Sequence, residues 1–175
     1  MTRSAALACL YYPSPLGVLK ISGNEKAVTA IGFHDKPGGV AAETSAVLHR
    51  CAQQLDEYFS GRRIAFSVPL APEGTDFQKR IWQMVYAIPF GKTVSYLALA
   101  RAAGNQKLTR AVGGANGANR LPLLIPCHRV VGENGALTGY AGGLWRKKWL
   151  LDFERKKTQP ALFETNDNFS VSEKI

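Results

Sequence analysis

SYLALARAAGNQKLTRAVGGANGAN, residues 95–119, decides what the second half of this chain builds. Residues 95–104 read as one helix closed by Gly104, since glycine readily takes the left-handed conformation of a C-terminal cap. The short turn Asn105–Gln106 leads into a second helix over 107–119. Two short helices joined by a tight, glycine-containing turn have the helix-turn-helix shape. Gly113 and Gly114 fall inside the second helix, where each costs about 1 kcal/mol relative to alanine. Such a cost is tolerated where something approaches the backbone closely. A packed neighbouring helix and a nucleic-acid backbone both satisfy that description. Arg110, on the same helix, is correspondingly a solvated charge or a phosphate or base contact.

Upstream, Thr75 and Gln78 form a capping-box pattern that opens a helix with Phe77, Ile81, Trp82 and Val85 as its apolar face, ending near Pro89. The first 70 residues have a different character. Residues 5–12, 16–22, 27–34 and 64–70 read as strands. A helix over 41–60 carries Val47, Leu48, Cys51, Leu55, Tyr58 and Phe59 on one stripe. Cys9 and Cys51 belong to strand and stripe, and read as core. The expected domains are therefore a structural α+β unit over 1–70 and a mostly helical unit over 71–157, with a frayed polar tail over 158–175.

The charge follows the same division. The chain of 175 residues has a net charge of +9; residues 71–157 hold 14 basic and 5 acidic residues, against 7 and 5 in residues 1–70. An excess gathered in one half suits a surface that meets polyanions. No apolar stretch approaches the length needed to span a bilayer. The run after Arg3 reads as a first strand rather than a signal peptide. Three cysteines, an odd number without framework spacing, fit a reducing, cytoplasmic compartment.

Downstream lies LLIPCHRVVG, residues 123–132, where an apolar run delivers Cys127 with His128 and Arg129 directly behind it. A free thiol is only about 3% thiolate at pH 7. A histidine raises that share by accepting the proton, and usually needs a carboxylate on its other ring nitrogen. Neighbouring side chains diverge in an extended backbone, so His128 would relay the proton through a water. Glu73, Asp76, Glu133, Asp152 and Glu154 are the carboxylates available, and spacing does not choose among them. Zinc would need further ligands, and His34, His49, Cys9 and Cys51 show no ligand spacing around Cys127. Last comes a helix over 144–157, with Trp145, Trp149 and Phe153 as its buried stripe. Arg146, Lys147 and Lys148 at one end, and Arg155, Lys156 and Lys157 at the other, read as its solvated face.

Taken together and in order, TDFQKRIW, IPFGKTVSY, AGN, RAVGGANGAN, IPCHRVV and GYAGGL resemble the O6-alkylguanine-DNA alkyltransferases, which reverse alkylation of DNA directly. The likeness runs over roughly residues 74–157. It implies an α+β fold: a small N-terminal ribonuclease H-like unit and a helical, helix-turn-helix C-terminal one. It further implies irreversible, single-turnover transfer of an alkyl group from guanine O6, with O4 of thymine a further candidate, to Cys127. His128 would take the proton through a water and Glu154 would orient His128. Asn119 would brace the active-site turn, and Tyr96 would donate to guanine N3. Arg110 would enter the base stack of flipped-out DNA, with further minor-groove contacts from Ser95, Thr109, Ala111, Gly113, Gly114, Ala115 and Asn116. Tyr96, Val130, Tyr140, Ala141 and Gly142 would line the base pocket. Position 141 is alanine where some relatives carry serine. The zinc-ligand pattern of some relatives is not visible, so no metal is expected. No cofactor is expected either, and the protein should act as a monomer on double-stranded DNA, with cooperative binding open. A lesion sensor of the alkyltransferase-like class is disfavoured because such proteins lack the acceptor cysteine. A methylation-responsive regulator is disfavoured because the chain shows no additional DNA-binding domain.

Overall fold

Strand β1 (Ala8–Ser14) turns into β2 (Gly17–Gly23) through Pro15 and Leu16. The turn is held by Ser14, whose hydroxyl donates to the Gly17 carbonyl at 2.6 Å and accepts from the Leu16 N–H at 3.2 Å. Gly17 sits at φ +97°, a conformation open to glycine at little cost. Strand β3 (Val28–His34) pairs antiparallel with β2, giving a sheet of order β1-β2-β3. Leu19, Ile21 and Ile31 point into the core, and helix α1 (Ala46–Phe59) packs on β1 and β2. The computed structural model describes residues 8–34 and 44–159.

Residues 64–70 form no strand. Val28 and Leu70 make a single bridge, and the Ser67 N–H donates instead to the side chain of buried Gln54 at 2.8 Å. Pro69 has no N–H to continue a ladder. The helix expected over 41–60 starts only at Ala46, where Ser45 caps it; residues 41–43 and the start of the first expected strand, 5–7, lie outside the described residues.

In the second half, helix α2 (Asp76–Tyr86) opens on the expected capping box of Thr75 and Gln78. A two-residue strand β4 (Val94–Ser95) runs straight into α3 (Tyr96–Ala102). Gly104, at φ +108°, then turns the chain. The helix expected over 107–119 is divided: Gln106–Leu108 is a 3-10 turn and α4 spans Thr109–Gly117. Helix α4 packs against α2 and α3. Cys127–Arg129 is another 3-10 turn rather than extended chain, leading into β5 (Val130–Val131), which pairs parallel with β4. Helix α5 (Leu144–Thr158) is the last element among the described residues and includes Thr158, the first residue of the expected tail. Residues 160–175 of that tail lie outside the described residues.

A single core runs through both halves, from Leu19, Leu48 and Leu55 to Ile81, Val112 and Leu121. Two expectations about α5 are overturned. Trp145 is 55% exposed rather than buried, while Arg146 and Lys147 are 8% and 0% exposed rather than solvated. Each buried cation has found partners: Arg146 donates to the carbonyls of Leu16 and Gly142, and Lys147 to that of Thr138. Cys9, expected in the core, is only half-buried.

Candidate active site

Residues 121–126 form a tight, wholly buried turn that carries Cys127. Leu123 sits at φ +74°, a left-handed conformation that non-glycine residues rarely adopt. Strain of this kind persists only when the surroundings over-determine it. Asn119 does so from both ends of its amide, accepting from the Leu121 N–H at 2.9 Å and donating to the Ile125 carbonyl at 2.8 Å. The Cys127 N–H donates back to the Ile125 carbonyl at 2.7 Å. The thiol is therefore presented by a turn whose backbone groups are bonded internally.

Cys127 is 4% exposed. Burial pushes its thiol up to about 11, against the smaller pull of the Asn119 amide and the Lys147 ammonium. At rest it is a protonated thiol. Consecutive side chains on a 3-10 turn point about 120° apart, so His128 turns away from Cys127 into the interior. There its Nε2 lies 2.9 Å from Glu154 Oε1.

Glu154 is the hub of this interior. Its Oε1 also accepts from the Tyr58 hydroxyl at 2.7 Å and from Arg129 Nη2 at 2.9 Å. Its Oε2 accepts from Arg129 Nε and from the Gly91 N–H, both at 2.9 Å. Burial would raise the carboxyl, but the bonds and charges of His128 and Arg129 outweigh it and hold it at about 2. Burial pulls His128 below its ordinary range despite Glu154, so the imidazole is neutral at pH 7 and Arg129 is the lasting counter-charge. An ionised carboxylate only accepts, so Nε2 carries the ring proton. The other nitrogen, Nδ1, is buried and has no hydrogen-bond partner among the described residues. Its lone pair is free to take a proton.

A cavity of about 600 Å³ opens beside this cluster, lined by Tyr96, Thr109, Gly113, Gly117, Tyr140 and Ala141 among others. Asn116 links it to the cysteine: its amide donates to the Tyr96 hydroxyl at 3.4 Å and to the Cys127 carbonyl at 3.2 Å. The Lys147 ammonium stands 5.6 Å from the Tyr96 ring centre, and burial lowers it to about 8. Among the described residues, no three His, Cys, Asp or Glu side chains cluster as a metal site requires.

The structure thus gathers Cys127, His128, Glu154, Asn119, Tyr96 and Tyr140. The residues expected to contact DNA divide. Arg110, Ala111 and Gly114 lie exposed on one face of α4, whereas Ala115 and Asn116 turn inward. The Ala115 carbonyl accepts from the Trp82 indole at 2.7 Å, and Asn116 braces Cys127. Ser95 caps α3 by accepting from the Ala98 N–H, and Thr109 donates to the Gln106 carbonyl. Two residues expected in the pocket do not line the cavity. Val130 is buried in β5, and Gly142 lies against Phe33, whose ring would be 2.7 Å from an added Cβ. Tyr58, Arg129 and Lys147 escaped sequence reasoning. The one available signal was for Tyr58, because a tyrosine on a buried stripe needs a partner for its hydroxyl.

Two family models match the chain: the ribonuclease-like domain of 6-O-methylguanine DNA methyltransferase over residues 7–72, and the DNA binding domain of the same family over residues 76–156. The methylated-DNA–protein-cysteine methyltransferase of Methanosarcina acetivorans is 40% identical over 82% of this chain and 95% of that protein. The constitutive one of Bacillus subtilis is 43% identical over 81% and 92%. Among solved structures, the O6-methylguanine methyltransferase of Mycobacterium tuberculosis superposes with a TM-score of 0.79 at 36% identity, over 89% of this chain and 96% of that one. A second structure of the Mycobacterium tuberculosis protein, in complex with DNA, gives a TM-score of 0.76 at 37% identity, over 85% and 93%.

Proposed function

This chain belongs to the methylated-DNA–protein-cysteine methyltransferases, a family of direct-reversal DNA repair proteins, and from that premise we propose that Cys127 is its alkyl acceptor. DNA is its partner. The observation that carries the assignment is the pair His128–Glu154 directly behind Cys127, with Nε2 bonded to an ionised carboxylate and Nδ1 without a hydrogen-bond partner among the described residues.

The proposed step balances as follows. Sγ attacks the alkyl carbon on guanine O6, the S–C bond forms and the O6–C bond breaks. The thiol proton passes through a water to His128 Nδ1, making an imidazolium that Glu154 stabilises. The guanine leaves as a base of rising electron density, and the Tyr96 hydroxyl donates to its N3. That hydroxyl accepts from Asn116, so its own proton is available to donate. Overall one proton moves from the thiol to the guanine: Tyr96 delivers it at N3 and is reprotonated through solvent as His128 gives up the thiol proton, so both residues end in their starting state. The thioether product is inert to water, so each molecule acts once.

The exposed face of α4 supports minor-groove binding. Arg110, Ala111, Gly114, Gly117 and Ala118 lie on it together, one cation among residues too small to hold a backbone away. A base stacked in a duplex cannot bring its O6 to a thiol that is 4% exposed, so it must be flipped out at a cost of a few kcal/mol, and the cavity beside Tyr96 is where it would lodge. No helix among the described residues is long and apolar enough to cross a membrane. Three free thiols fit a reducing, cytoplasmic setting.

The test is the intact mass of the protein after incubation with a duplex carrying O6-methylguanine, followed by peptide mapping. One methyl group on the Cys127 peptide, saturating at one equivalent, is the expected result, with Cys127→Ala gaining none. An unmodified protein that still binds the lesion tightly would instead make it a sensor.

A further inference from the structure

The residue nearest the catalytic carboxylate belongs to the other half of the chain. Tyr58, on α1, lies within the stretch that matches the ribonuclease-like domain, whereas Cys127, His128 and Glu154 lie within the stretch that matches the DNA binding domain. Its hydroxyl nevertheless donates to Glu154 Oε1 at 2.7 Å across 96 residues of sequence, and its side chain is 1% exposed. That oxygen is the one that receives His128 Nε2. We infer that Tyr58 is a positioning residue for alkyl transfer, through which the N-terminal unit sets the orientation and basicity of His128. The inference rests on the transfer reaction proposed above.

The geometry explains how one hydroxyl has that leverage. Burial, and secondarily the Glu154 charge, keep the Tyr58 phenol protonated, so it is a permanent donor. Arg129 grips both carboxylate oxygens and the Gly91 N–H takes Oε2, which fixes the carboxylate plane. Tyr58 and His128 then share Oε1 from separate elements. A carboxylate oxygen already accepting from Tyr58 has less charge to offer an imidazolium. His128 is thereby held less basic than Glu154 alone would make it, and its ring is held at one angle. The other groups that act on His128 are cationic: Arg129 beside it and Lys147 on α5. Neither donates to Oε1 from the direction of α1.

The aromatic surroundings hold the phenol ring in place. Phe59, Phe66, Phe90 and Phe153 all contact it, with ring centres 5.3 to 5.8 Å away. Tyr58→Phe keeps that packing and removes only the oxygen.

The experiment measures single-turnover methyl transfer from an O6-methylguanine duplex between pH 5 and 9 for wild type, Tyr58→Phe and the packing control Phe66→Leu. In wild type the rate rises through the His128 titration to a plateau, because only the neutral ring accepts the thiol proton. Tyr58→Phe should lower the plateau about tenfold, as expected for losing a hydrogen bond to a charged group. It should also move the acid limb up by roughly half a pH unit or more, since a less occupied carboxylate holds the imidazolium better. Phe66→Leu should lose thermal stability and leave the limb where it is. An unmoved limb in Tyr58→Phe, whatever the plateau does, overturns the inference and leaves the transfer reaction standing. Failure of wild type to take a methyl on Cys127 overturns the reaction itself, and the inference with it.

Discussion

Cys127 is a weak nucleophile until a substrate is in place. With its thiol near 11, the thiolate share at pH 7 is far below that of an ordinary cysteine, so attack must be coupled to proton transfer. Two expectations follow at this scale. Alkylation of the resting protein by iodoacetamide at pH 7 should be at least about a hundredfold slower at Cys127 than at a free cysteine. Methyl transfer, by contrast, should be level from pH 7 to 9, because His128 is already neutral there. A transfer rate climbing about tenfold per pH unit over that range would mean that free thiolate attacks and His128 plays no part. The sequence PCHRV shows the pair of Cys127 and His128, since they are neighbours. It does not show which of five carboxylates completes the relay, because that depends on where α5 lies.

At the scale of elements, α4 and α5 carry opposite lessons. The glycines of α4 are conspicuous in sequence, but two explanations fit them. Among the described residues, the structure removes packing as an account of Gly114: an added Cβ would meet nothing within 4 Å, and at Gly113 only the edge of Tyr96 at 3.9 Å. Gly114→Ala should therefore stabilise the fold by about 1 kcal/mol, read from thermal melts. Gly114→Leu should keep the fold and weaken duplex binding roughly tenfold or more, read by fluorescence anisotropy. Unchanged affinity would move the DNA surface away from α4. Helix α5 deceives in the other direction. Its buried residues are Arg146, Lys147, Leu150 and Glu154, a stripe of which hydropathy assigns all but Leu150 to water. Periodicity finds apolar faces, and has no term for charges that carry their partners into the core.

For the whole molecule, the ionised cluster makes stability depend on acid. In the unfolded chain Glu154 takes its proton near 4.5, in the folded protein only near about 2, so between these values the unfolded state binds more protons. Stability from Glu154, about 3 kcal/mol when complete, is present above pH 4.5 and is lost as pH falls toward 2. His128, held below its ordinary 6.5, acts in the same direction, since it resists a proton that the unfolded chain accepts. Thermal midpoints should decline below pH 6.5 and steeply below 4.5, and Glu154→Gln should flatten the lower part of that decline. A midpoint level down to pH 3 would show that this cluster does not titrate with unfolding. The sequence by itself determined the local matters: the sheet of the first half, the capped helices of the second, the motif PCHRV and the basic half of the chain. These depend on residues within a few positions of one another, where propensity, capping and turn chemistry act. The family resemblance already assigned Glu154 to His128; only the tertiary structure decided that Arg129 and the Gly91 N–H share its carboxylate, that Tyr58 crosses from α1 to reach it, and that Arg146 and Lys147 are buried. Those outcomes require groups as many as 130 positions apart in sequence to meet, and burial of a charge is settled by the partners that packing supplies.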